Sequence, residues 1–205
     1  MIMALENLPD YLFIIGKPAS GKSTISRIVL NVLDLPDSSF LPIDKAHRVI
    51  CDPQVKSPLY SYLEGGKLVF HDREAMMREA LLWLTREAGR LLQQKTLVRP
   101  VCFEFSHYNY VEAFTIFGLE KMRHAAVLEV TAPDSVIRQR NQNRPLADQV
   151  PEEYLQMVFA PSVLEWRAQI PLGRYAVLLN DSTLSTSELE ARVKSALHEL
   201  GMLFS

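Results

Sequence analysis

The chain has 205 residues, of which 48 % are apolar and 22 % charged, and its formal net charge is −2. That balance fits one α/β domain over residues 1–205 with a full core; it excludes a disordered or fibrous chain and gives no global pull toward nucleic acid or an acidic membrane. Cys51 and Cys102 lack metal-type spacing, which argues against a disulfide framework and for a reducing compartment.

The chain opens Met-Ile-Met-Ala-Leu-Glu-Asn, with neither a basic region nor a long apolar stretch. No signal peptide is expected, nothing later reaches membrane-spanning length, and the expected location is cytoplasmic. The apolar run Tyr11-Leu12-Phe13-Ile14-Ile15 predicts a strand, and Gly16-Lys17-Pro18-Ala19-Ser20-Gly21-Lys22-Ser23 directly after it fits G-x-x-x-x-G-K-[ST]. The two glycines let backbone N–H groups turn inward around a phosphate chain, and the following helix N-terminus adds partial positive charge. Lys22 supplies a point charge for the β- and γ-phosphates. Ser23 offers a hydroxyl to Mg²⁺, and Thr24 lies nearer the base or α-phosphate. A chance glycine loop would not combine four fixed positions with a strand before it and a helix after it, so nucleotide binding is expected.

Ile25, Ile28, Val29, Val32 and Leu33 recur at helical spacing, and Pro36-Asp37 ends that helix. Ser39-Phe40-Leu41-Pro42-Ile43 is a short strand whose proline points to a sheet edge. It delivers Asp44 at its carboxyl end, where open α/β sheets bind ligands; the competing reading makes Asp44 the N-cap of a helix over Lys45–Ile50. Residues 53–71, with two prolines, two glycines and three aromatics, predict a loop-rich segment with a short helix, turning at Gly65-Gly66. From Asp72, a plausible N-cap, apolar spacing through Met76, Ala80, Leu84, Ala88 and Leu91 predicts a long helix to Gln94. Val101–Phe105 is the next strand, and Glu104 within it is a carboxylate too costly to bury unpaired. It is either a contact behind Mg²⁺ or substrate, or a satisfied structural group.

Asn109 and Glu112 form a capping pair for a helix over Tyr110–Met122, and Ala125–Thr131 is another strand. Thr131-Ala-Pro-Asp134 has the spacing of a capping box and starts a helix carrying Arg138, Arg140 and Arg144. Arg140 and Arg144, four apart, share a face; they read as a phosphate clamp or as a solvated basic face. Proline-initiated helical segments at Val150-Pro-Glu-Glu-Tyr and Ala160-Pro-Ser-Val-Leu-Glu-Trp make 138–170 a candidate lid. Tyr175–Leu179 is the last strand, Asn180-Asp181-Ser182-Thr183 its loop, and Leu184–Leu200 an amphipathic helix. Strand and helix alternate, which predicts a parallel, doubly wound sheet.

These residues together resemble the small P-loop kinases, and most of all their polynucleotide-kinase-like branch. Leu41-Pro-Ile-Asp44-Lys-Ala-His-Arg48 is similar to the strand end of that branch whose aspartate accepts the proton of the attacking hydroxyl. Arg140-Asn-Gln-Asn-Arg144 with Val150-Pro-Glu-Glu and Met157 is similar to its arginine-bearing lid, and Asn180-Asp181-Ser182 to the segment bordering adenine. Leu63-Glu-Gly-Gly-Lys-Leu-Val resembles the acceptor turn of adenylate-kinase-like enzymes, but their Gly-Phe-Pro-Arg stretch is replaced here by Phe105-Ser-His-Tyr108. The resemblance implies a P-loop NTPase fold with a five-stranded parallel sheet, helices on both faces and a helical lid. It implies ATP and Mg²⁺ as cofactors, residues 16–24 as the nucleotide loop, Ser23 on the metal, and Lys22, Asp44, Arg140 and Arg144 as catalytic. The acceptor would be a hydroxyl of a nucleoside, a nucleic-acid terminus or a small metabolite. A nucleoside monophosphate kinase and a non-catalytic nucleotide switch are the alternatives.

Overall fold

The computed structural model describes residues 8–54, 56–62, 68–93, 99–145, 149–159, 167, 170–181 and 183–203. In chain order these form β1 (Tyr11–Ile15), α1 (Lys22–Val32), β2 (Phe40–Pro42), α2 (Ile43–Ile50), β3 (Tyr60–Tyr62), β4 (Leu68–Phe70), α3 (Arg73–Leu92), β5 (Val101–Phe105) and α4 (Tyr110–Phe117). They continue with α5 (Leu119–Arg123), β6 (Ala125–Thr131), α6 (Asp134–Gln142), α7 (Glu152–Phe159), β7 (Tyr175–Leu179) and α8 (Thr186–Glu199). Five strands pair in parallel in the order β2-β5-β1-β6-β7, as the strand–helix alternation predicts.

Strand position explains strand composition. β1 is central and covered on both faces, so all five of its residues are buried and each is aliphatic or aromatic. Tyr11, Phe13 and Ile15 pack toward α3 and α4, and Leu12 and Ile14 pack toward α1 and α8. Phe13 stacks on Phe103 with centroids 4.8 Å apart and meets Phe117 edge-on at the same 4.8 Å. β7 lies at the edge and alternates, leaving Val177 and Leu179 partly exposed. β2 is the opposite edge, where the missing N–H of Pro42 does no harm.

Several expectations need correction. Residues 60–62 and 68–70 form an antiparallel hairpin in place of a short helix, with Gly65-Gly66 outside the described residues. The helix expected over 110–122 breaks at Gly118, whose φ of 93° is unsuited to a helix, giving α4 and α5. Thr131 does not cap α6: Pro133 holds the N-cap position without a side-chain bond, and the Thr131 hydroxyl donates to the Leu178 carbonyl at 3.4 Å. Asp44 is not an N-cap either, because α2 already begins at Ile43 behind Pro42. The segment expected to start at Pro161 falls outside the described residues. Asp72 and Asn109 do cap α3 and α4, accepting from Ala75 N and Glu112 N.

Candidate active site

The phosphate loop joins β1 to α1 and is shaped by two glycines at positive φ. Gly16 has φ +147°, and a Cβ there would lie 2.2 Å from the Val130 carbonyl oxygen; Gly21 has φ +91°, and a Cβ would lie 2.0 Å from Asn180 Nδ2. Only glycine fits either position. Lys22 is buried, and its ammonium donates to the carbonyls of Gly16 (3.1 Å) and Lys17 (2.8 Å) and to Ser106 Oγ (2.6 Å). Burial pulls its pKa down to about 8, the Glu104 carboxylate opposes that pull, and Arg144 adds to it. Lys17 points away from the loop and pairs with Asp134 in the first turn of α6 at 3.0 Å.

Glu104, at the end of β5, faces this lysine and is buried with both oxygens used. Ser23 Oγ donates to Oε1 at 2.8 Å and Ser26 Oγ to Oε2 at 2.9 Å. The carboxylate therefore orients the hydroxyl of the motif's serine. Among the described residues no group of three or more His, Cys, Asp or Glu could hold a metal by itself. A serine hydroxyl backed by one carboxylate is a hard-oxygen donor set of the kind that suits Mg²⁺, which keeps most of its shell as water and substrate phosphate. Ser20 Oγ is buried beside the loop and has no hydrogen-bond partner among the described residues.

On the β7 side, Arg140 Nη1 and Asn180 Nδ2 both donate to the Ser20 carbonyl, at 3.2 and 2.8 Å. A cleft of about 310 Å³ opens there, with Ala19, Gly21, Thr24, Arg140, Arg144 and Asn180 among its lining residues. Arg140 and Arg144 thus converge, though not by sharing a helical face. α6 ends at Gln142, and Arg144 lies in the turn beyond it, bonded through its N–H to Asn141 O. Arg138 is directed elsewhere and pairs with Glu152 on α7. Asn141 is buried and ties the two helices: its Nδ2 donates to Val150 O and its Oδ1 accepts from Val150 N, both at 2.9 Å.

On the β2 side the ends of two adjacent strands leave the sheet together, Pro42 pairing with Glu104. Asp44 is exposed in the first turn of α2, within electrostatic reach of Lys22, and makes no capping bond. His47 is one turn along, its ring 5.1 Å from that of Phe70 on the hairpin; burial lowers its pKa, with Asp44 opposing. After β5 come Ser106, His107 and Tyr108, the last two rings stacked at 4.8 Å, with Tyr108 hydrogen-bonded to Glu74. The arrangement therefore has two sides: a phosphate loop with a cleft toward β7, and the exposed Asp44 carboxylate just beyond the end of β2. Ser106, Tyr110 and Ser26 carry no motif that marks them in the sequence. The one signal available for Ser26 was the need of Glu104 for partners.

No family model and no curated protein matches the chain. Solved structures do. A shikimate kinase from Bacteroides thetaiotaomicron aligns at a TM-score of 0.55 and 17 % identity over 93 % of this chain and 97 % of that one. A gluconokinase from Sinorhizobium meliloti 1021 aligns at 0.54 and 17 % identity over 95 % of each chain. Kti12 from Chaetomium thermophilum, in complex with ADP-AlF3, aligns at 0.53 and 14 % identity over 93 % of this chain and 98 % of that one. Identities this low speak for architecture alone, and with the parallel sheet and the glycine loop they establish that this chain has the α/β P-loop fold of the small P-loop kinases.

Proposed function

We propose that the protein is a Mg²⁺-ATP-dependent kinase that transfers the γ-phosphoryl group to a hydroxyl of a small metabolite. The observation that carries the reading is Asp44: an exposed carboxylate without a hydrogen bond among the described residues, just beyond the end of the strand next to β5 and in reach of the phosphate-loop lysine. The neighbours that are a shikimate kinase and a gluconokinase support a small acceptor. In the reaction the acceptor oxygen bonds to phosphorus as the bond from phosphorus to the ADP oxygen breaks, and the hydroxyl proton passes to Asp44. Lys22 neutralises the β- and γ-phosphate oxygens from within the loop, and Arg140 and Arg144 stabilise charge on the transferring group from the cleft. Bound Mg²⁺ would supply further charge neutralisation, held by Ser23 Oγ as Glu104 orients it. Residues 138–170 would act as the lid that excludes water.

A screen of γ-labelled ATP against small polyols and hydroxy acids, nucleosides, nucleoside monophosphates and 5′-hydroxyl oligonucleotides tests this. Transfer to a small alcohol is the expected result. Transfer to monophosphates alone identifies a nucleoside monophosphate kinase, and nucleotide binding without any transfer identifies a switch.

A further inference from the structure

The segment from Ser106 to Tyr110, which runs from the end of β5 to the first residue of α4, touches the phosphate loop at two places. At its start Ser106 Oγ accepts from the Lys22 ammonium at 2.6 Å; at its end Tyr110 Oη accepts the N–H of Gly16 at 3.0 Å, across 94 residues of sequence. The Tyr110 oxygen also takes the N–H of His107, so the segment folds back onto the same hydroxyl. Two more bonds stiffen it: His107 Nδ1 accepts from Asn109 N at 2.9 Å, and Asn109 Oδ1 caps α4 through Glu112 N at 3.2 Å. A phosphate loop works by aiming successive peptide N–H groups at its ligand, so the plane of its first peptide sets the course of those that follow. Here that plane is fixed from outside the motif, since the Gly16 N–H is spent on a phenol.

We propose that Tyr110 is a positioning residue for the nucleotide phosphates: by holding the Gly16 peptide it sets the path of the phosphate loop, while Ser106 on the same segment sets the resting place of Lys22. The inference rests on the nucleotide-binding reading above. A tyrosine that merely filled the fold would affect stability alone. A tyrosine that sets the loop affects ligands in proportion to their phosphates, because the Gly16 peptide belongs to the phosphate loop and does not line the cleft near Asn180.

The test uses the full chain, with MgADP and adenosine titrated by calorimetry and the Gly16 amide followed by NMR. Wild-type protein that fails to bind MgADP overturns the nucleotide reading itself. Given wild-type binding, Tyr110→Phe should weaken MgADP by about tenfold, the scale of one lost hydrogen bond to a buried N–H, leave adenosine unchanged, and speed exchange of the Gly16 amide. Asp72→Ala, which removes the α3 cap and destabilises comparably, should leave MgADP affinity as it was. Unchanged MgADP affinity in Tyr110→Phe, equal weakening of adenosine, or reproduction of the loss by Asp72→Ala would each overturn the proposal. Should Tyr110→Phe not fold, difluorotyrosine at 110 keeps the ring and makes the oxygen a poorer acceptor. The same selective weakening is then expected, and its absence is decisive.

Discussion

Raising the pH from 7 to 9 should weaken binding of a nucleoside diphosphate by about tenfold, through Lys22. Burial holds this lysine at a pKa of about 8, well below the ordinary lysine value of 10.5, even with the Glu104 carboxylate pulling the other way. A group with that pKa is about nine-tenths protonated at pH 7 and about one-tenth at pH 9. Polyphosphate binds the ammonium and not the amine, so above pH 8 the complex must take up a proton, at about 1.4 kcal/mol per pH unit. Folding stability moves the opposite way. Because the folded pKa is depressed, the unfolded chain holds more protons between about pH 8 and 10.5, and stability contributed by this group rises with pH across that window. Calorimetric titrations with MgADP, at each pH in two buffers of different ionisation heat, count the protons directly. Uptake should grow from about 0.1 per site at pH 7 to about 0.9 at pH 9, and Lys22→Met should abolish the difference while subtracting the ligand's own titration. Flat affinity with no proton uptake at pH 9 would refute the account of a buried, weakly basic lysine.

Asp44→Asn should lower turnover at least about 100-fold with nucleotide affinity and melting temperature preserved, because the carboxylate caps nothing in α2; steady-state kinetics on the acceptor from the labelled-ATP screen checks it, and near-normal turnover would remove Asp44 from the mechanism. Gly21→Ala would place a methyl group 2.0 Å from Asn180 Nδ2 at a φ of +91°. It should cost about 1–3 kcal/mol of stability in chemical denaturation and weaken nucleotide binding by at least about tenfold. Glu104→Gln leaves one carbonyl oxygen for two serine hydroxyls and withdraws the charge that props up Lys22. It should destabilise the chain by about 1 kcal/mol and move the midpoint of the pH-dependent MgADP affinity below 8.

The parts of the molecule that were legible in the sequence are those in which one local rule acts alone. The run Tyr11–Ile15 reads as a strand, and the glycine spacing after it as a loop that must admit close backbone approach. Asp72 and Asn109 sit where side-chain oxygens reach the third N–H of a helix, and they do so. Where two rules compete, the sequence misleads. Thr131 has capping-box spacing, yet Pro133 fixes the chain so that the helix begins beyond its reach. Gly118 lies in a stretch that the Asn109–Glu112 capping pair makes read as one helix, although its positive φ splits it. Arg140 and Arg144 meet at the cleft because a turn follows α6, not because of helical periodicity. Tyr110 and Ser106 were invisible for a plainer reason. Their roles are contacts across 94 and 84 residues, and no local pattern encodes a partner that distant.

The Asn141 bridge bears on how this region can move. Its amide imitates a peptide group and pairs with Val150 as one strand pairs with another, and the Arg138–Glu152 ion pair spans the same gap between α6 and α7. Leu155 of α7 shares a small apolar cluster with Ile137 of α6 and with Ala19 of the phosphate loop. α6 and α7 are thus stitched at three points into one lever whose fulcrum lies on Ala19. A swing of α7 cannot leave Arg140 behind; it draws that guanidinium along with the Ser20 carbonyl it holds, so displacement at the outer helix arrives at the glycine loop as a change in arginine reach.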